Sequence, residues 1–186
     1  MRYLFGLLIT IGLLILLIIL IISRGNAKHA PSTAPKPLSS YSTTDVEARL
    51  IVGGPITSQQ THQQIEITVG QDEVTYVQIN GYNGQIANSQ SYPNTQNSYY
   101  NFLRALEVAN FTLGNHDKNL ANNTGYCPLS NRYNYQLVEG STLLQNLWST
   151  SCGTRTYNGN ASLTQQLFKN QVPNFDTLAQ NLTIVF

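Results

Sequence analysis

The chain has 186 residues, with ten Lys and Arg against nine Asp and Glu for a formal net charge of +1, and only 10% of its residues are charged. No basic run interleaves with aromatic residues, which excludes the electrostatic footprint of a nucleic-acid binder. Residues 49–186 suffice for one hydrophobic core and are too few for two ordinary domains.

Residues 3–22 are apolar apart from Thr10 and the interfacial Tyr3, and none is charged. At about 1.5 Å per residue a helix of that length spans roughly 30 Å, the hydrocarbon thickness of a bilayer, so 1–22 is expected to be a transmembrane anchor. The rival is a cleaved signal peptide, whose apolar region is usually about 7 to 15 residues long. The nearest small-x-small site, Gly25-Asn26-Ala27, lies beyond Arg24, and length favours the anchor.

Residues 23–48 contain Pro31, Pro35 and Pro37 in a Ser/Thr-rich setting with little to bury, the composition of a flexible linker. Arg24, Lys28 and Lys36 on this side, against Arg2 on the other, would by the positive-inside bias put the following domain in the cytoplasm. The cysteine arrangement below and a Lys/Glu-poor surface argue for the outside, and that is the expectation adopted.

The domain, 49–186, opens with alternating Ile65, Ile67 and Val69, a turn at Gly70-Gln71-Asp72-Glu73, and a second β-branched run from Val74 to Ile79, which together predict a β-hairpin. The stretch 81–97 is turn and loop by composition. From Ser98 to Asn110 the period changes: Tyr99, Phe102, Leu103, Leu106 and Ala109 form one stripe of an amphipathic helix with Asn97 or Ser98 as its cap. A polar loop follows from Gly114 to Gly125.

The arms YNYQLVE and TLLQNLWST around Glu139-Gly140-Ser141 predict a second hairpin, with Cys127 and Cys152 at its open ends. A Glu139-Gly140 loop sets the two cysteines directly opposite each other, and a Gly140-Ser141 loop sets them one diagonal apart. In both registers Tyr133, Tyr135, Leu137, Leu144 and Trp148 share the cysteines' face. A disulfide packed on that aromatic face is therefore expected, and it suits an oxidising compartment.

Ser162-Leu163-Thr164-Gln165 has the capping-box pattern and begins a short helix through Leu167 and Phe168 that Pro173 ends. Residues 174–181 are turn-rich, and Leu182 to Phe186 predict a terminal strand docked in the sheet. The fold class is accordingly α+β: antiparallel hairpins packed with two short helices.

Chemical motifs are sparse. There is no G-x-S-x-G, H-E-x-x-H, P-loop or paired-cysteine metal spacing. His116-Asp117, with a serine brought near by folding, is the one catalytic candidate, against the simpler reading of a solvated loop. Asn115, Asp117 and Asn119 match the first oxygen positions of a calcium loop, but Leu120 and Tyr126 stand where the glycine and the closing acid belong. No metal or cofactor is expected. The sequons at Asn110, Asn122, Asn160 and Asn181 are no more than this Asn-, Ser- and Thr-rich composition produces by chance.

Abundant tyrosine with Asn and Ser is the composition of adaptable recognition surfaces. Tyr82, Tyr92, Tyr99, Tyr100, Tyr157 and Trp148 are the candidate ligand contacts, each weighed against a place in the core.

An apolar N-terminal helix before an α+β head with a disulfide resembles type IV pilins in layout. Gly6 could end a leader, but the fifth residue after it is Ile11 where that family has Glu. Through GYNG, YYNFLRALEVANF, GYCPLSNRYNYQL, LWSTSCG and LFKNQVPNF, about 110 residues of the chain resemble membrane-anchored extracytoplasmic proteins of the candidate-phyla bacteria (Patescibacteria). That resemblance implies a secreted α+β domain and points to no known activity.

The functional expectation is a membrane-anchored surface domain with a binding or envelope-structural role, its partner a protein or glycan at the cell surface. A minor pilin-like subunit and a small hydrolase using His116 and Asp117 are the alternatives.

Overall fold

A computed structural model describes residues 36–184 of the chain. The anchor expected at 3–22 and the linker residues 23–35 lie outside the described residues. Among the described residues no helix is long and apolar enough to cross a membrane.

The chain forms strands β1 (Val46–Gly53), β2 (Gln63–Val69), β3 (Glu73–Asn80) and β4 (Gln85–Pro93), then helix α1 (Gln96–Val108). Strands β5 (Arg132–Glu139), β6 (Thr142–Thr150) and the two-residue β7 (Gly153–Thr154) follow, and helices α2 (Ala161–Lys169) and α3 (Phe175–Ala179) close the fold. Among the described residues all strands belong to one sheet, ordered β4-β3-β2-β1-β5-β6-β7. Every neighbouring pair is antiparallel. β1 is thus central, and α1 lies in the connection that carries the chain from the β4 edge back to β5 on the far side of β1.

The predicted α+β class and both hairpins are present. β2 and β3 pair from Gln63↔Asn80 to Val69↔Val74, with Ile65 and Ile67 fully buried. α1 buries Tyr99, Phe102, Leu103 and Leu106, the predicted stripe. Its cap is Thr95, not Asn97 or Ser98: Thr95 is extended and its hydroxyl accepts from the Ser98 amide at 3.2 Å. The helix ends where Asn110 turns left-handed (φ 55°) and the Phe111 amide reaches back to the Leu106 carbonyl at 3.0 Å, a Schellman ending.

Several boundaries differ from the sequence-based expectation. Residues 38–48, given to the linker, belong to the domain: Leu38 is buried in a 3-10 turn (Leu38–Tyr41), and β1 begins at Val46. Val46, Ala48, Leu50 and Val52 all point into the core, so the period-2 signal is there but sits behind a Pro- and Ser-rich run that masks it. The expected loop 81–97 contains β4, whose side chains are mostly polar and largely exposed. α2 is capped by Asn160, which accepts from the Leu163 amide at 3.0 Å, and not by Ser162. The stretch after Pro173 holds α3. Residues 182–184 do not form the expected strand; Thr183 binds the Gln63 side chain and Ile184 is buried, while 185 and 186 lie outside the described residues.

One side of the sheet and the helices enclose an aromatic core. Phe168 of α2 meets Phe102 of α1 edge-on at 5.1 Å and lies 5.9 Å from Phe111. Tyr135 of β5 stacks on Tyr157 at 3.7 Å, and Phe111 lies edge-on to Tyr135 at 6.3 Å. Such rings carry a large apolar area each and add to the aliphatic side chains that β1 and β2 bury.

Candidate functional site

The β5–β6 hairpin turns at Gly140-Ser141, the second of the two expected registers: Glu139 pairs with Thr142 and Val138 with Leu143. A bulge then leaves Leu144 without a partner, and from Leu137↔Gln145 to Arg132↔Thr150 the ladder runs one residue out of step. In a strand a one-residue slip exchanges the faces. Tyr133, Tyr135 and Leu137 therefore face the helices together with Leu147, whereas Trp148 lies opposite Asn134 on the other face. The expectation that Trp148 and Leu144 share the tyrosines' face is corrected by this bulge; Leu144 is exposed.

Trp148 is nevertheless buried, because the segment between α1 and β5 folds over it. The indole Nε1 donates to the Leu120 carbonyl at 2.8 Å, and the Tyr126 ring meets the indole edge-on at 5.5 Å. Arg132 Nη2 donates to the Tyr126 carbonyl at 2.9 Å, and the Arg155 guanidinium sits 4.5 Å above the Tyr126 ring. Cys127 and Cys152 form the expected disulfide, with Cα atoms 6.6 Å apart. Cys127 lies in the turn that follows Tyr126 and Cys152 in the turn between β6 and β7, so the bond latches this flap to the end of the hairpin rather than joining facing ladder positions.

The remaining candidate contacts separate into two groups. Tyr99 and Tyr157 are completely buried. The Tyr99 hydroxyl donates to the Val46 carbonyl at 2.5 Å, tying α1 to β1. Burial, and secondarily the Glu47 carboxylate, holds its phenol far above the usual value. Tyr157 exchanges a 2.6 Å hydrogen bond with Thr164 of α2, and burial pushes its phenol up to about 12 although that bond acts to lower it. Tyr135, stacked on Tyr157, accepts from Gln165 Nε2 and bonds Ser149 Oγ, each at 3.2 Å. Its phenol too is raised by burial, with both bonds opposing the shift. These are core positions.

Tyr82 and Tyr100 are exposed and Tyr92 is half-buried against the core. Tyr82, in the β3–β4 turn, stacks on His62 with ring centres 4.2 Å apart. Its hydroxyl donates to the Thr57 carbonyl at 2.9 Å and accepts from the Thr57 amide at 3.1 Å. Tyr92 pairs with Val74 at the opposite end of β4, so Tyr82 and Tyr92 do not converge. The six candidates form no single surface.

His116 and Asp117 are both exposed. The Asp117 carboxylate accepts from the Asn119 amide and the Asn115 side chain from the Asp117 amide, each at 2.9 Å, so two of the three calcium-like oxygens are engaged by the loop's own backbone. Among the described residues no group of His, Cys, Asp and Glu is placed to hold a metal ion.

Two hollows are polar. One, of about 470 Å³, lies between α2 and α3, where Lys169 approaches Asp176 at 3.9 Å and the Phe175 ring at 5.2 Å. The other, of about 260 Å³, is framed by Thr44–Glu47 and Gly70–Glu73. Sequence reasoning passed over a third feature, the ion pair of Arg49 with Glu66 (3.1 Å) on the sheet face away from the helices, where Glu47 also approaches at 3.8 Å. Its signal was Glu47 and Arg49 alternating with the apolar Val46, Ala48 and Leu50, hidden by assigning residues up to 48 to the linker.

No protein-family model matches this chain, and no curated protein aligns with it significantly.

Proposed function

We propose that the chain is a membrane-anchored protein whose folded domain stands outside the cytoplasm and serves a binding or envelope-structural role. The observation that carries this reading is the Cys127–Cys152 disulfide, which latches a flap over Trp148. Disulfides persist in oxidising compartments and are rare in reducing ones. The uncharged run 3–22 supplies the length of a membrane span. A rigid sheet with exposed Asn, Gln, Ser and Tyr suits contact with a protein or glycan.

Protease treatment of intact cells tests this reading. Cleavage in the Pro-rich segment 23–36 that releases the folded domain into the medium is the expected result. Retention of the whole domain until the cells are lysed would overturn it.

A further inference from the structure

The two edges of the sheet differ. At one end β7 is two residues long and adjoins Cys152 of the disulfide. At the other, β4 runs for nine residues and, among the described residues, pairs only with β3. Sheet proteins commonly blunt such an edge with Lys, an inward charge, proline or a bulge. β4 carries a bulge at Ala87 and a proline at its last position, Pro93. Between them Asn88, Ser89, Gln90, Ser91 and Tyr92 form a regular stretch with no charged residue. The uncharged run is far longer than the strand: from Val74 to Leu103 there is no Asp, Glu, Lys, Arg or His. Outward backbone groups of an edge strand are open to a further strand, and here no side-chain charge opposes it.

We propose that two copies of this chain pair β4 to β4, antiparallel about a two-fold axis near Gln90, making one continuous sheet across the dimer. The partner is a second copy because the edge is electrically neutral: it carries nothing to draw a charged segment and nothing to repel itself. In that register Ser89 faces Ser91 of the other copy and Asn88 faces Tyr92, so small hydroxyl side chains meet, and the exposed amides of Asn88 and Gln90, which bond each other at 3.3 Å within the strand, can exchange that bond for one across the pair. A two-fold pairing of like edges also closes, whereas head-to-tail growth would need β7, which is too short to serve. The pairing does not depend on the compartment proposed above.

Single cysteines introduced along β4 in the full-length chain, kept in its membrane, test the proposal, since the native pair is already oxidised. Asn88→Cys, Ser89→Cys, Gln90→Cys, Ser91→Cys and Tyr92→Cys are compared with Val108→Cys on the exposed side of α1. A disulfide needs Cα atoms about 4.4 to 6.8 Å apart, so the dimeric adduct should peak at Gln90→Cys and fall on both sides. Adding Ser89→Lys and Ser91→Lys to Gln90→Cys should abolish the adduct, because like charges then stand directly opposite. Co-expression with a chain carrying Gln90→Cys, Ser89→Glu and Ser91→Glu should restore it as a mixed dimer. A flat profile along β4, equal cross-linking at Val108→Cys, adducts only of another mass, or a charge swap without effect overturns the proposal.

Discussion

Trp148 lies across the β5–β6 ladder from Asn134, and its indole nitrogen donates to the carbonyl of Leu120 in the flap that covers it. The disulfide fastens that flap at Cys127, whose carbonyl accepts from the Ser130 amide three residues on, and β5 begins to pair at Arg132, five residues on. The ring is therefore shielded by a segment that one covalent bond holds, together with the Leu120 and Tyr126 carbonyl hydrogen bonds and the Arg155–Tyr126 contact. The double variant Cys127→Ser, Cys152→Ser is expected to lose about 3 kcal/mol of stability by the chain-entropy account of a loop of this length. Denaturant titration followed by the emission of the single tryptophan measures both effects: the midpoint falls, and native-state emission moves to longer wavelength as water reaches the indole.

The Tyr157–Thr164 bond joins the segment after β7 to α2 within the core. Tyr157→Phe keeps the ring stack on Tyr135 but leaves the buried Thr164 hydroxyl without that partner, a cost of roughly 1 to 3 kcal/mol. Tyr100→Phe, on the exposed side of α1, is expected to change stability by less than about 0.5 kcal/mol. Equal effects of the two substitutions in thermal unfolding would contradict the division of the tyrosines into core and surface groups.

Gly114 pairs in an isolated bridge with Tyr157, and a Cβ there would stand 2.6 Å from the Thr156 carbonyl oxygen and closer still to the Leu147 side chain. Gly114→Ala is expected to destabilise the domain by about 1 to 3 kcal/mol, the usual cost of overpacking. Gly84→Ala meets no atoms, so any penalty there arises from its left-handed backbone (φ 71°) alone. Unfolding curves of the two variants separate the steric cost from the conformational one.

Tyr76, Tyr99, Tyr133, Tyr135 and Tyr157 all have phenols raised by burial. A folded-state value above the unfolded one means that the native protein keeps a proton the unfolded chain gives up. The associated stability is complete below pH 10 and is lost as pH climbs through the raised values, about 12 for Tyr157. An alkaline titration should show these five tyrosines ionising together with loss of the fold.

Where a buried face imposes a period, the sequence was legible. Ile65, Ile67 and Val69 on β2 and the Tyr99-Phe102-Leu103-Leu106 stripe on α1 all lie in the core as expected. β4 escaped because an edge strand with polar, exposed side chains has no hydrophobic alternation to display. The partners of the disulfide were legible from the hairpin symmetry, but its setting was not: the bulge at Leu144 moves the ladder by one residue and turns Trp148 to the opposite face. A bulge costs a single residue and leaves no compositional mark. The candidate binding tyrosines failed to converge for a related reason, since composition cannot separate a tyrosine that bonds a core threonine from one that faces solvent.

The central claim, a disulfide-latched domain outside the cytoplasm, is tested most directly by thiol labelling of intact cells with a membrane-impermeant maleimide, before and after reduction with an impermeant reductant. Labelling of Cys127 and Cys152 that appears only after reduction is the predicted result. Cysteines that stay silent in intact cells under both conditions, yet react without reduction once the cells are lysed, would place free thiols in the cytoplasm and contradict the account.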